Sequence, residues 1–94
     1  MTPPRKKKKV DYEALSSAFM RIPGMDVLAV RALIDLGFKE IYELVGRAPE
    51  SLFDAYKKQK SDAPAQILWG LRMAVYVAET PEPDPKKLKP ALWA

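Results

Sequence analysis

The chain has no cysteine and no histidine. Without thiols there are no disulfides and no thiolate metal sites. Without imidazole there is no His-dependent triad, no imidazole ligand and no charge switch near neutral pH. Glycine is scarce, four in 94 residues, and no Gly-rich phosphate loop of the P-loop kind is present. No apolar run reaches about 18 residues and the N-terminus is basic, so a soluble, cytoplasmic protein is expected. Asp and Glu are scattered, with no two paired at a site and no nucleophile–base pair. The expectation is a non-enzyme with no cofactor and no metal.

What is present is the composition of a folded globule, 48% apolar and 10% aromatic. Ninety-four residues suffice for one domain with a modest core. The formal charge of +4 is unevenly placed. Residues 1–10 hold Arg5, Lys6, Lys7, Lys8 and Lys9 with no acid, whereas residues 11–78 hold eight basic and nine acidic side chains. In residues 79–94, Glu79, Glu82 and Asp84 balance Lys86, Lys87 and Lys89. The excess is therefore an N-terminal arm on a nearly neutral body.

Three regions follow: a basic arm over 1–10, expected to be disordered when free because like charges repel, a helical domain over 11–79, and a Pro-rich tail over 80–94. For the arm, phosphate neutralisation with counterion release stands beside a merely solubilising terminus. Asp11 suits an N-cap, and Tyr12, Leu15, Phe19 and Ile22 recur on one face of a helix ending near Arg21. A second helix over about 27–36 is apolar on most sides, with Arg31 and Asp35 as its polar i,i+4 pair. It is expected to be the central buried element. Gly37 suits a left-handed C′ residue, with Phe38 folding back on Leu33.

A short third helix over 39–45 would show Ile41, Leu44 and Val45 to the core. Pro49 opens a fourth, with Leu52, Phe53 and Tyr56 inward. Ser61 or Asp62 would cap a fifth, running to Glu79. Within it Gly70 costs roughly 1 kcal/mol against Ala, which predicts a close neighbouring helix. Pro81, Pro83 and Pro85 then force an extended segment. Leu88, Leu92 and Trp93 either dock it on the domain or form a partner-binding peptide, docking being favoured by the gain from burying a Trp.

The chain is organised around Ile22-Pro23-Gly24-Met25-Asp26. This stretch resembles the helix-hairpin-helix motif, apolar–Pro–Gly–apolar–Gly, in its first four positions, with Asp26 in place of the second glycine. Leu28 stands where a Lys or Arg often follows. The resemblance implies phosphate contact by backbone N–H groups of Gly24, Met25, Asp26 and Val27, a chemistry that unpaired donors at a helix N-terminus favour in general. Asp26 is also a good N-cap, and as a cap it competes for those donors. The fourth and fifth helices read as a degenerate second unit, whose Lys57, Lys58 and Lys60 are the densest cations of the body and as good a candidate for DNA-phosphate contact as the hairpin. They are equally ordinary at a helix C-terminus.

From about residue 14 to 79 the chain is similar to a bacterial pathogenicity-locus or mitomycin-resistance-type helix-hairpin-helix family. The carriers are Arg-Ile-Pro-Gly (21–24), Asp-Leu-Gly-Phe (35–38), Tyr-Glu-Leu-Val-Gly-Arg-Ala-Pro-Glu (42–50), Leu-Phe-Asp-Ala-Tyr (52–56) and Met-Ala-Val-Tyr-Val-Ala-Glu (73–79). The resemblance implies an all-α, compact five-helix, sterile-alpha-motif-like fold. The expected function is non-sequence-specific binding to the phosphate backbone of duplex DNA through hairpin and arm. The alternative is a protein–protein interaction module, favoured by the neutral body, Asp26 and the tail with Trp93.

Overall fold

Asp11 opens the first helix, its Oδ1 accepting the Ala14 N–H at 3.0 Å. The structure, a computed structural model, describes residues 10–94. Helix α1, Tyr12–Leu15, lasts one turn. The single helix expected up to Arg21 is broken, because the Ser17 hydroxyl accepts the Phe19 N–H at 3.0 Å and starts a 3₁₀ turn, Ala18–Arg21. Serine hydroxyls offer the backbone such local partners in place of helix bonds. The break splits the expected apolar face. Phe19 and Ile22 are buried, while Tyr12 and Leu15 are 73% and 49% exposed.

Helix α2, Val27–Asp35, is capped as its sequence indicates, with Asp26 Oδ1 accepting the Leu28 N–H at 2.9 Å. It ends in a Schellman motif. Gly37 has φ +97°, its N–H donates to Ile34 O, and the Phe38 N–H donates to Leu33 O. The third expected helix is only a 3₁₀ turn, Ile41–Leu44. Leu44 is buried, but Val45 lies outside the turn and 56% exposed. Glu43 Oε1 accepts the N–H groups of Glu40 and Lys39. Those two bonds, Glu40 first, hold its carboxyl below the ordinary range.

Helix α3, Pro49–Gln59, starts on its proline and buries Leu52 and Tyr56. Helix α4, Ala65–Glu79, starts directly after Pro64, which occupies the cap position itself. Ser61 and Asp62 form the preceding turn and cap nothing. Pro64 is extended at ψ 154°. Proline also disfavours the helical region for the residue before it, so the helix begins beyond that point.

The core gathers on α4 rather than on α2. Helix α4 touches α2, α3, the 41–44 turn and a second 3₁₀ turn in the tail, Pro90–Trp93. At fifteen residues it has length for all four, whereas α2, at nine, leaves Leu28 48% exposed. Gly70 marks a close approach, since a Cβ there would run into the Cβ of Ala29 on α2. The close neighbour anticipated from Gly70 is therefore α2. No strand occurs among the described residues, whose regular elements are four α-helices and four 3₁₀ turns.

The tail is not extended throughout. It makes the 3₁₀ turns Pro85–Lys87 and Pro90–Trp93 and lies back on the body. Arg72 Nη1 donates to the Trp93 carbonyl at 2.7 Å, and Trp93 Nε1 donates to the Lys87 carbonyl at 2.8 Å. The Tyr76 and Trp93 rings stand 5.0 Å apart, and the Asp84 N–H donates to the Tyr76 hydroxyl. Leu88 and Trp93 pack against the core, while Leu92 stays outside at 61% exposure.

Candidate functional site

The stretch 22–26 forms a tight turn at the mouth of α2. The Met25 N–H donates to Ile22 O at 3.1 Å, and Gly24 takes φ +79°. Proline followed by a positive-φ glycine is the signature of a type II turn. Met25 points inward and is buried near Gly70, whereas Pro23 and Gly24 are exposed at the tip.

The donors expected to hold phosphate are partly taken. Met25 spends its N–H inside the turn. The Leu28 N–H goes to the Asp26 carboxylate and the Ala29 N–H to the Asp26 carbonyl. Among the described residues, the Val27 N–H is the first-turn donor that none of these bonds uses. The close approach that Gly24 allows is occupied as well. A Cβ there would collide with the carbonyl oxygen of Leu88, so the backbone resting on this glycine is the chain's own tail. The Asp26 carboxylate and the Leu88 carbonyl both set acceptors at the hairpin.

Lys57, Lys58 and Lys60 lie at the far end of α3, all exposed, with Lys57 Nζ 5.4 Å from the Phe53 ring centre. Tyr56, beside them, has its hydroxyl pKa raised by burial and next by Asp35, with Arg31 opposing. These lysines belong to the end of α3 and the hairpin to the start of α2, and among the described residues no hydrogen bond joins the two. Arg5, Lys6, Lys7, Lys8 and Lys9 lie outside the described residues.

Three features were not anticipated as sites. The first is the Arg31 guanidinium, which bridges three carboxylates: Asp11 at 3.0 Å, Glu13 at 2.8 Å and Asp35 at 3.1 Å. Its pKa is raised, chiefly by the Glu13 hydrogen bond, and this clamp ties α1 to α2. Only the Asp35 pair was visible as i,i+4. The second is an open cleft of about 510 Å³ whose lining includes Arg21, Lys39, Glu13 and Glu40, a mixed-charge surface with no dominant sign. The third is the tail's lysines, Lys86, Lys87 and Lys89, exposed and within two residues of the Leu88–Gly24 contact. The order of charges was the available signal. The tail's acids all precede Pro85 and its lysines all follow it.

No family model, no curated protein and no solved structure matches this chain. Among the described residues no helix is long and apolar enough to cross a membrane.

Proposed function

We propose that this protein is a non-enzymatic, helix-hairpin-helix, duplex-DNA-associating protein that holds the phosphate backbone without reading bases. The proposal includes a sterile-alpha-motif-like five-helix arrangement and kinship with the pathogenicity-locus or mitomycin-resistance-type family. In it, α1 with the 18–21 turn stands for the first helix and the 41–44 turn for the third. The observation that carries the reading is the exposed Pro23–Gly24 turn opening on the N-terminus of α2, in a chain whose surplus charge is the Arg5–Lys9 arm. Attraction comes mostly from the cations, and the hairpin contributes position, because Asp26 already holds one of its donors.

The test is a fluorescence-anisotropy titration against labelled duplex DNA at two salt concentrations, with and without residues 1–10. The reading expects both forms to bind, the truncated one more weakly and with a shallower salt slope, by roughly 0.9 per lost phosphate contact. If binding disappears with the arm, the hairpin has no part in it.

A second reading, a protein–protein interaction module, is favoured by the large apolar side chains left outside. Tyr12, Leu15 and Leu28 are each about half or more exposed on the packed pair α1 and α2. Absence of any DNA binding at low salt in either form selects it.

A further inference from the structure

The sequence motif lacks the basic residue that often follows such a hairpin, with Leu28 in its place. The fold brings the backbone of a lysine-bearing segment to the same glycine from another part of the chain. Leu88 rests its carbonyl on Gly24, and its side chain packs against the core. Lys87 and Lys89 flank it directly, and Lys86 is one residue further, so all three are within about 8 Å of chain from the contact. From Pro85 onward the tail carries these three lysines and no acid. All three are exposed, and none takes part in an ion pair among the described residues. Arg21, also exposed, stands immediately before the hairpin in the chain.

The backbone that carries these lysines is held by specific contacts. The Asp84 carboxylate accepts the Lys86 N–H at 2.9 Å and starts the 85–87 turn. Trp93 Nε1 holds the Lys87 carbonyl, Arg72 holds the Trp93 carbonyl, and Lys87 Nζ sits 5.6 Å from the centre of the Tyr76 ring. The lysines therefore ride on a segment fastened at both of its turns. A fastened cation loses less freedom when it meets an anion than one on a loose tail.

We infer that the docked tail is one half of the polyanion-binding face. Lys86, Lys87 and Lys89 contact the nucleic-acid phosphates beside the 22–26 hairpin, and the tail is fastened so that they stand there. This deepens the proposed function and rests on it. It also gives Gly24 a role in the site that needs no phosphate at the glycine, since its missing side chain seats the lysine-bearing segment.

The test uses the full chain and a labelled duplex of about 20 base pairs, with anisotropy measured from 50 to 200 mM salt. Three proteins are compared: wild type, a tail variant (Lys86→Gln, Lys87→Gln, Lys89→Gln), and a variant with equal charge loss elsewhere (Lys57→Gln, Lys58→Gln, Lys60→Gln). If the tail lysines meet three phosphates, the tail variant's salt slope falls by about 2.7, so the affinity lost over that range shrinks by roughly 40-fold. The Lys57 variant is expected to move much less. Equal losses in the two variants would mean that only total charge counts, and would overturn the inference. So would a tail variant that binds as wild type does. A wild-type protein that does not bind at 50 mM salt fails earlier, and removes the DNA reading itself. Trp93→Ala adds a readout of positioning, because it keeps every lysine and unfastens the segment. Weaker binding at an unchanged helical circular dichroism supports the inference, and unchanged binding counts against it.

Discussion

Gly24 and Gly37 separate two reasons for a glycine. Both have positive φ, +79° and +97°, a region that costs an L-residue roughly 1–2 kcal/mol. Around Gly37 nothing lies within 4 Å of where a Cβ would stand, whereas at Gly24 the Leu88 carbonyl is in the way. Gly37→Ala should therefore cost only the backbone strain, about 1 kcal/mol. Gly24→Ala must also push the tail away and should cost about 2–3 kcal/mol. Urea midpoints of the two variants compare them directly. Gly24→Ala alone should also change tryptophan emission, because Trp93 travels with the tail. Equal midpoints would mean that the tail contact adds nothing to stability.

At the scale of elements, the α2–α4 crossing depends on two small residues. Gly70 has no room for a methyl against Ala29, and helices that approach this closely have no slack to absorb one. Gly70→Ala gains about 1 kcal/mol of helix propensity and loses more to overpacking, so a net destabilisation of about 1–2 kcal/mol is expected. Ala29→Gly in the same chain should restore part of it. The coupling from the full double-mutant cycle checks this. A coupling near zero would place the helices further apart than the contact implies.

The same crossing shows what was legible beforehand. Gly70 inside an apolar stripe pointed to a close neighbour, Asp26 and Gly37 to the ends of α2, and Pro49 to the start of α3. Each is a local rule acting on nearby backbone. The breaks were less legible. Ser17 diverts a hydrogen bond that periodicity cannot see, and the four residues 41–44 close into a 3₁₀ turn where the apolar pattern reads as a helix. Least legible was the partner of Gly24. Leu88 lies 64 residues further along the chain, and nothing in either stretch names the other. The hairpin was found from sequence, but the tail lysines beside it needed the fold.

At the scale of the whole molecule, charge is partitioned between a nearly neutral body and a basic arm. The body from 11 to 78 is one charge from neutral. Its ion pairs are exposed or half-exposed, Arg31 with three carboxylates and Arg72 with Glu50. Such pairs stabilise by about 0–1 kcal/mol each and weaken with salt. Little self-repulsion exists for salt to relieve, so the two small effects stay small. The melting midpoint of the full chain should move by less than about 5 °C between 50 and 500 mM salt, since 1 kcal/mol shifts a domain of this size by roughly 4–8 °C. Under the proposed function, binding to DNA should respond in the opposite manner. Five arm cations on five phosphates alone give a slope of about −4.5, a fall of roughly 500-fold between 50 and 200 mM. Thermal melts and anisotropy titrations over one salt series measure both on the same protein. A melting midpoint that drops in parallel with binding would mean that the cations are part of the fold rather than an interface held ready by it.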